Sequence, residues 1–486
     1  MDTSSLITTI AGTLYGLLLA FTIITIIMDT RNSAKSLGYI LVVLFLPLFG
    51  IIIYFSVGIN YRKRKLYRRK LIEDNGLFRI IRQQMIDSTE QQINHNPELI
   101  DGKEHIVRAI LKDNISLLAP ATEVKLLTNG EEKFIDLLKA LEDAKDNIHI
   151  QYYIFVDDEI GNKVKDILIR KADEGVKVRF MVDDFGSHGL HKHMLKELEK
   201  SKVEVAIFYK IRLYALANRL NYRNHRKIVV IDGHIGFIGG INVEDKYINN
   251  GNFKLFWRDT HLMIKGGAAV SKLQATFISD WNFCSENKIE LDLSYFSTEM
   301  GKDQKHLVQI ASSGPDSSRP SIMLSCLGII MASKKRLYIT TPYFIPNDAI
   351  VDAIVYAALS GVDVRLLVPG ISDSLIVNAA SCSYYTQLLK AGVKVYRYQK
   401  GFVHAKTIVS DDTLSFVGSA NMDIRSFDLN FEINALVFSR IINKQLCDNF
   451  IKDIGDSKEL NEKDWLKRSW LKQFGSAVAR LISPLL

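Results

Sequence analysis

Residues 147–179 read NIHIQYYIFVDDEIGNKVKDILIRKADEGVKVR, and residues 336–365 read RLYITTPYFIPNDAIVDAIVYAALSGVDVR. Each stretch opens with a β-branched run, continues through an amphipathic segment, and closes on a short apolar run that starts at Gly175-Val176 or Gly361-Val362. This order predicts a strand, a helix and a second strand, which together form a β-α-β unit. Because the unit occurs twice, the sequence predicts two pseudo-symmetric α/β domains, each a mixed sheet flanked by helices.

A second pair of matching segments follows the two units. Residues 225–232 read HRKIVVID and residues 404–411 read HAKTIVSD. A glycine-rich step with an asparagine comes next in each copy, GGIN at 239–242 and GSAN at 418–421, and the gap from histidine to asparagine is the same in both. Matched residues at matched gaps indicate one site that has been duplicated.

The residue types in this site suit a phosphodiester. Side chains alternate along a strand, so His225 and Lys227 project to one side, as do His404 and Lys406. Two ammonium groups would offset the phosphate charge and stabilise the transition state. One neutral histidine can attack phosphorus while the other, protonated, donates to the leaving oxygen. We therefore predict that these four residues are catalytic.

The remaining motif residues have different expected roles. Asp232 and Asp411 belong to the catalytic motif, but each lies an odd number of residues after the lysine, which puts it on the opposite face of an extended strand. Asp232-Gly233 is also a turn signal. We expect both carboxylates to support the strand or turn. The glycine-rich steps allow close backbone approach, and we predict that Asn242, Asn421 and Ser419 bind the substrate.

The N-terminal region predicts membrane insertion. No residue is charged in 6–28 or in 37–59, and each run is long enough to cross a hydrocarbon core. We predict that residues 1–60 form a hairpin of two transmembrane helices. The basic run just after residue 59 then places the catalytic domains in the cytoplasm, at the inner membrane of the cell. A cleaved signal peptide is the alternative interpretation of the first run.

Positive charge is concentrated in one place. The formal net charge is +8, and seven basic residues lie within 62–70 (RKRKLYRRK). The remainder is nearly neutral, which indicates a membrane partner and disfavours nucleic acid. We predict a basic cytoplasmic linker over 61–120, a first domain over 121–300, and a second over 301–486 that ends in an amphipathic segment.

Three further features of the sequence are less decisive. The four cysteines are far apart, and we expect reduced packing residues without a metal site. Residues 209–223 interleave basic and apolar side chains, which fits an interfacial lid or a helix that covers the core. Residues 465–486 either rest on the bilayer or pack on their own domain. The sequence leaves the oligomeric state open.

Both histidine motifs resemble the HKD motif of the phospholipase D superfamily. The resemblance implies that an acidic residue after each motif hydrogen-bonds the catalytic histidine. The matching positions are Asp259, which follows the first motif, and Glu432, which follows the second. It also implies a phosphatidyl-histidine intermediate, and no metal or cofactor is needed because the lysines supply the positive charge.

Nearly the full length resembles the bacterial cardiolipin synthase family within that superfamily. The resemblance is carried by the uncharged N-terminal runs and by TPYFIP at 341–346, GPD at 314–316 and SPLL at 483–486. Gln151 departs from the pattern, since many members have Glu there.

The resemblance implies phosphatidyl transfer between two phosphatidylglycerol molecules, giving cardiolipin and glycerol. His225 is the expected nucleophile and His404 the expected acid, although the pseudo-symmetry leaves the opposite assignment open. Lipid hydrolysis, another phosphatidyl transfer and a non-catalytic scaffold are the alternatives.

Overall fold

The structure is a computed structural model that describes residues 3–29, 33–55, 76–208, 222–251, 253–290, 292–297 and 305–482. The basic run at 62–70 and most of the candidate lid at 209–223 lie outside the described residues.

The N-terminal region contains one candidate membrane span among the described residues. Helix α1 (Thr3–Asp29) contains the apolar stretch Ser5–Met28, which is long and apolar enough to cross a bilayer. The second predicted span begins as helix α2 (Ser33–Phe45), whose apolar part, Ser36–Phe45, is too short to cross alone. The expected hairpin of two transmembrane helices is therefore not confirmed.

Pro47 ends the second helix early. It lacks a backbone N–H and cannot continue α2, so the chain breaks at Leu46 and resumes as helix α3 (Pro47–Ile53). Helix α3 packs closely on α2, because a Cβ at Gly50 would lie 2.6 Å from the Cα of Val43. Over the described residues this apolar run is a helix, a break and a second helix.

The predicted linker is folded from residue 76 onward, contrary to the sequence interpretation. Residues 76–120 form helices α4 (Gly76–His95), α5 (Pro97–Ile100) and α6 (Glu104–Asn114) and strand β1 (Ala119–Pro120). Ile106 and Ile110 pack with Ile322 and Ile329 in the core of the second domain, and β1 pairs with the strand 307–313. The amphipathic helix α6 gains stability by burying this apolar face, so the segment extends the second domain.

The first domain is a seven-stranded mixed sheet with the order β2-β9-β7-β6-β3-β4-β5. Strands β3, β4 and β5 are parallel, and the others are antiparallel. The strands of residues 121–300 are β2 (Glu123–Thr128), β3 (Asn147–Tyr152), β4 (Lys177–Asp183), β5 (Glu204–Phe208), β6 (Ile228–Ile231), β7 (Ile235–Gly239), β8 (Phe256–Arg258) and β9 (Thr260–Lys265). The helices are α7 (Asn129–Glu142), α8 (Glu159–Asp173), α9 (Lys192–Lys200) and α10 (Gly267–Cys284).

The second domain repeats this strand order, with one extra strand at each edge: β1-β10-β19-β17-β16-β11-β13-β14-β20. Its strands are β10 (Leu307–Ser313), β11 (Arg336–Thr340), β12 (Phe344–Ile345), β13 (Asp363–Pro369), β14 (Lys394–Tyr398), β15 (Gly401–Val403), β16 (Thr407–Ser410), β17 (Leu414–Gly418), β18 (Met422–Asp423), β19 (Glu432–Phe438) and β20 (Ser457–Glu459). Its helices are α11 (Ser321–Ala332), α12 (Asp348–Leu359), α13 (Leu375–Lys390), α14 (Ile424–Asp428), α15 (Arg440–Gly455), α16 (Glu462–Leu466) and α17 (Trp470–Ile482).

The two β-α-β units form as the sequence predicts. Helix α8 leads from β3 to β4, and α12 leads from β11 to β13. Gly175 and Gly361, which precede the second strand of each unit, have φ of 98° and 92°, a conformation that favours glycine after a helix. The α/β class and the two related domains are confirmed.

The two sheets share one apolar core. Val230 and Leu262 of the first sheet belong to the same buried cluster as Val409 and Ile433 of the second. Burial of apolar surface between the sheets therefore fixes how the two histidine motifs face each other.

Candidate active site

Backbone contacts between the domains position both histidines. Strand β15, just before His404, runs parallel to β8 of the first domain, and the His404 N–H donates to the carbonyl of Arg258 at 2.7 Å. At the first motif, Asn224 forms a parallel β-bridge with Phe431 of the second domain, and the His225 N–H donates to the carbonyl of Phe431 at 3.0 Å. Each histidine is thus held by backbone of the opposite domain.

The carboxylate partners are consequently exchanged between the domains. Nδ1 of His225 lies 3.0 Å from Glu432 Oε1, and Nδ1 of His404 lies 2.7 Å from Asp259 Oδ2. The sequence interpretation paired each acid with the motif that it follows, and that pairing is wrong. The acid after each motif is instead adjacent to the histidine of the other motif, because β8 with β15, and Asn224 with Phe431, bring those segments together.

The carboxylates fix which nitrogen can react. An ionised carboxylate only accepts hydrogen bonds, so Nδ1 of each histidine carries the proton. Nε2 is then the nitrogen that can face a substrate. Burial lowers the pKa of His225 and, together with the charge of Lys406, holds the pKa of His404 well below its usual range. Both shifts favour the neutral form of the imidazole.

The two acids differ in charge behaviour. Burial would raise the pKa of Glu432, but the hydrogen bond from His225 and the charge of Lys227 lower it overall. Burial raises the pKa of Asp259 to about 6, against the opposing effect of Lys406. The two halves of the site are therefore not electrostatically equivalent, and His225 has the more persistently charged partner.

The lysines lie beside their histidines, as the strand alternation predicts. Nζ of Lys227 donates to the carbonyl of His225 at 2.7 Å, and Nζ of Lys406 donates to the carbonyl of His404 at 2.5 Å. Both side chains are buried. Burial lowers the pKa of Lys227 to about 7 and that of Lys406 to about 8. An anionic group bound between them would restore both ammonium charges.

Both histidines line a single cavity of about 670 Å³. Aromatic rings flank them: Tyr153 lies 4.8 Å from His225 and Trp257 lies 5.7 Å from His404, measured between ring centroids. Further charged groups line the same cavity, namely Arg223, Lys246, Asp373, Asp423 and Arg425. The cavity therefore combines apolar walls with several cations, which suits a lipid phosphodiester.

The motif aspartates lie behind the site. Asp232 and Asp411 both have φ of 50°, at the turn that links the two strands after each motif. Asp232 accepts backbone N–H bonds from residues 145–147, and Asp411 accepts them from residues 334–336. Lys103 of the folded linker also contacts Asp411, at 3.0 Å. The position of both carboxylates matches the expected support of strand and turn.

The predicted substrate-binding residues fall into two groups. Asn242 and Asn421 line the cavity, and the buried Oδ1 of Asn421 has no hydrogen-bond partner among the described residues. Ser419 is 0% exposed, and its hydroxyl donates to Glu432 Oε2 at 2.5 Å. Its position differs from the expected substrate contact, since it holds the carboxylate that faces His225.

The glycine-rich steps make room for neighbouring protein groups. A Cβ at Gly240 would lie 2.2 Å from Asp259 Oδ1, and one at Gly418 would lie 2.3 Å from Asn434 Cγ. The close approach expected at these glycines is thus made by the Asp259 carboxylate, which faces His404, and by strand β19.

A buried ion pair behind the first motif was not predicted. Arg226 projects away from the cavity, and its guanidinium donates to Asp280 Oδ1 at 2.6 Å and to the carbonyls of Ser313 and Glu432 at 3.2 Å. Gln151, at the position where many family members have Glu, donates to Asp280 Oδ2 at 2.8 Å. Side chains alternate along a strand, so His225 and Lys227 lie on one face and Arg226 lies on the other. This alternation is the sequence feature that could have predicted a buried position for Arg226.

One group of side chains among the described residues has the types and proximity of metal ligands. Asp157, His191 and His193 have ligand atoms within 4.8 Å of one another, and both histidines are exposed. None of the three lines the cavity.

Two sheets of equal strand order, with two His-Lys motifs whose histidines meet at one cavity, define a protein of the phospholipase D-like class. A solved structure with a similar fold is the phosphatidylserine synthase of Haemophilus influenzae Rd KW20. It has a TM-score of 0.58 and 14% sequence identity, and the match covers 78% of this chain and 96% of that chain.

The family models agree with the fold. Residues 137–281 and 327–454 match the model described as cardiolipin synthase, PLD-like domain, and residues 17–58 match the phospholipase D-nuclease N-terminal model. The major cardiolipin synthase ClsA of Bacillus subtilis (strain 168) is 38% identical over 96% of both chains. A cardiolipin synthase of Staphylococcus aureus (strain N315) is 41% identical over 98% of this chain and 96% of its own. The chain belongs to the cardiolipin synthase family with phospholipase D-like domains.

Proposed function

We propose that the protein is a cardiolipin synthase, a phosphatidyltransferase that joins two phosphatidylglycerol molecules and releases glycerol. The observation that carries this proposal is the convergence of two histidines at one cavity, each with a carboxylate on Nδ1 and a buried lysine beside it. The relatives named cardiolipin synthase, which match over nearly the whole chain, support the choice of lipid.

In the first step Nε2 of His225 attacks the phosphorus of one phosphatidylglycerol. The N–P bond forms and the P–O bond to the glycerol headgroup breaks. His404, which takes up a proton at Nε2 when the phosphodiester anion binds beside it, gives that proton to the departing oxygen, and glycerol leaves. Glu432, whose pKa stays low, stabilises the positive charge that develops on His225.

In the second step a hydroxyl of the headgroup of a second phosphatidylglycerol attacks the phosphorus. His404, now neutral, accepts the hydroxyl proton, the N–P bond breaks, and cardiolipin is released. One phosphodiester is exchanged for another, so His225 and His404 return to their starting states. The positive charges of Lys227 and Lys406 stabilise the phosphorane-like transition state of both steps.

The direct test is to incubate the purified full chain with phosphatidylglycerol and to analyse the lipids by mass spectrometry. We expect cardiolipin and glycerol in equal amounts. Formation of phosphatidic acid alone would identify a hydrolase, and cardiolipin formation that persists in both His225→Ala and His404→Ala would contradict the mechanism. Addition of phosphatidylethanolamine or free glycerol identifies the acceptors that the second step allows.

The pH dependence of kcat/KM should be bell-shaped. Asp259 orients His404 only as a carboxylate, so activity should rise as pH increases through its pKa of about 6. Lys227 and Lys406 bind the phosphodiester only as ammonium groups, so activity should fall as pH rises through about 7 to 8. Initial rates from pH 5 to pH 9 check this, and Asp259→Asn should lower the rate at every pH and remove the acidic limb. A profile that stays flat up to pH 9 would contradict the role of the lysines.

We also propose that the catalytic domains lie on the cytoplasmic side of the cell membrane. The basic run at 62–70 supports this orientation through the positive-inside rule. Protease protection of a C-terminal tag in spheroplasts tests it, because a cytoplasmic tag survives until the membrane is permeabilised. Cleavage in intact spheroplasts would show the opposite orientation.

A further inference from the structure

Helix α17 exposes a row of large apolar side chains. Trp470, Leu471, Phe474, Val478 and Leu481 are all exposed, with exposed fractions from 42% to 78%. At 3.6 residues per turn these five positions fall within an arc of about 100°. The helix therefore has a continuous apolar face that the rest of the described chain does not cover.

The opposite side of α17 is the side that packs on the body. Ser476 and Ala479 are buried, and Ala479 lies in the core cluster that contains Tyr385 and Leu388 of α13. An amphipathic helix of a soluble domain normally buries its large apolar residues. Here the small residues are buried and the large ones are presented outward, so the helix is fixed to the body and its apolar face is free for a partner.

The charge around this face indicates the partner. Residues 465–482 contain Lys467, Arg468, Lys472 and Arg480 and no acidic residue. Tryptophan, leucine and phenylalanine on one face, with basic residues beside them, are typical of helices that lie in the interface of an anionic bilayer. The same chain carries α1, which is long and apolar enough to enter a membrane.

Helix α13 connects this face to the cavity. Asp373 and Ser374, at the start of α13, line the cavity together with Val377. The adjacent Leu375 and Ile376 are 85% and 49% exposed. The element that carries α17 thus has its own exposed apolar side chains at the rim of the active site.

We propose that the apolar face of α17 lies in the headgroup region of an anionic bilayer and, together with Leu375 and Ile376, brings the rim of the cavity to the lipid surface. This membrane contact is separate from the N-terminal helices. Its role in lipid delivery rests on the proposed function, whereas the contact itself does not require turnover.

The contact can be measured with an environment-sensitive fluorophore on single introduced cysteines. We place the label at Leu471→Cys, Phe474→Cys and Leu481→Cys on the apolar face and at Gln473→Cys and Arg480→Cys on the polar face. The full chain is held in nanodiscs of phosphatidylglycerol and phosphatidylethanolamine, and the unsubstituted chain gives the background from its own cysteines. We expect a blue shift and quenching by nitroxide-labelled lipids for the first three positions only.

Two results would overturn the proposal. Equal, water-like emission at all five positions would show that the face does not meet lipid. A blue shift without quenching by the lipid nitroxides would place the face against protein, such as α1 or a second copy of the chain. The catalytically inactive His404→Ala chain should give the same pattern as the active chain, so failure of the proposed chemistry and failure of the membrane contact are distinguishable.

A pair of charge-matched variants tests the consequence for activity. Leu471→Asp with Phe474→Asp should lower the rate on phosphatidylglycerol vesicles about tenfold or more, because the face no longer enters the interface. Ser469→Asp with Gln473→Asp adds the same charge on the polar side and should leave that rate unchanged. Both variants should retain the rate on dispersed short-chain phosphatidylglycerol, which reports intact folding. Equal vesicle rates for the two variants would contradict a role in delivery.

Discussion

His225→Ala and His404→Ala each lower the rate of cardiolipin formation from phosphatidylglycerol by about 10⁴-fold or more, since residues of a catalytic unit act together. Without His225 no N–P bond can form. Without His404 the glycerol oxygen must leave without a proton. Lipid mass spectrometry of timed reactions measures the effect, and His105→Ala, at an exposed histidine of α6 that does not line the cavity, is the matched control.

A substrate with a good leaving group separates the two roles. Phosphatidyl-p-nitrophenol releases a stable anion, so its first step needs a nucleophile and little help from an acid. We expect His404→Ala to release about one equivalent of nitrophenolate and to retain a phosphatidyl group on residue 225, identified by peptide mass spectrometry. His225→Ala should release none above background. The reverse pattern would make His404 the nucleophile and His225 the acid.

Asp280→Ala should lower the free energy of unfolding by about 3 to 5 kcal/mol, because it leaves the buried guanidinium of Arg226 without its carboxylate. The Arg226 and Asp280 side chains are each 4% exposed. Urea denaturation of the full chain in nonionic detergent measures the change. We expect lower activity as well, since Arg226 also donates to the carbonyl of Glu432, the residue that faces His225.

The double substitution Arg226→Met with Asp280→Leu is the control for this effect. It removes both charges at similar volume, so it should recover the part of the lost stability that comes from the unpaired charge. Gln151 and Asn224, which also donate to Asp280, lose this acceptor in both variants. Glu159→Ala breaks an exposed pair with Lys163 and should change stability little. A double variant that is less stable than Asp280→Ala would show that the lost stability does not come from the unpaired charge.

The repeat was sufficient to predict the fold class and the meeting of His225 and His404 at one cavity. Two β-α-β units and two motifs with equal internal gaps lie in the sequence itself, and strand alternation places His225 with Lys227 and His404 with Lys406. The same parity places Asp232 and Asp411 off the reacting face, where the structure has them. These features depend only on local geometry.

The exchange of carboxylates depends on contacts that no local pattern encodes. Spacing along the chain associates Asp259 with His225, but the parallel pairing of β8 with β15 brings Asp259 to His404. Ser419 is buried behind Glu432 by the pairing of β17 with β19, two strands that are adjacent in the sheet but not consecutive in the chain. The apolar residues of 76–118 did not reveal that α6 packs on the second domain, because the basic run before them dominated the composition.

The second predicted span is not confirmed, and the reason is local. Hydropathy over 37–59 is uniform, whereas a single imino acid decides where the helix ends. Pro47 lacks the N–H that α2 would need to continue, so a run of suitable composition forms two short helices over the part that the structure describes.

The exchanged carboxylates make the two halves of the protein mutually dependent. A fragment that ends after the first domain would carry His225 without Glu432, and a fragment with only the second would carry His404 without Asp259. Neither fragment alone therefore holds a complete histidine-carboxylate pair. A substitution of Asp259 in the first domain therefore impairs His404 in the second, and a substitution of Glu432 in the second impairs His225 in the first. Selection consequently acts on both halves together.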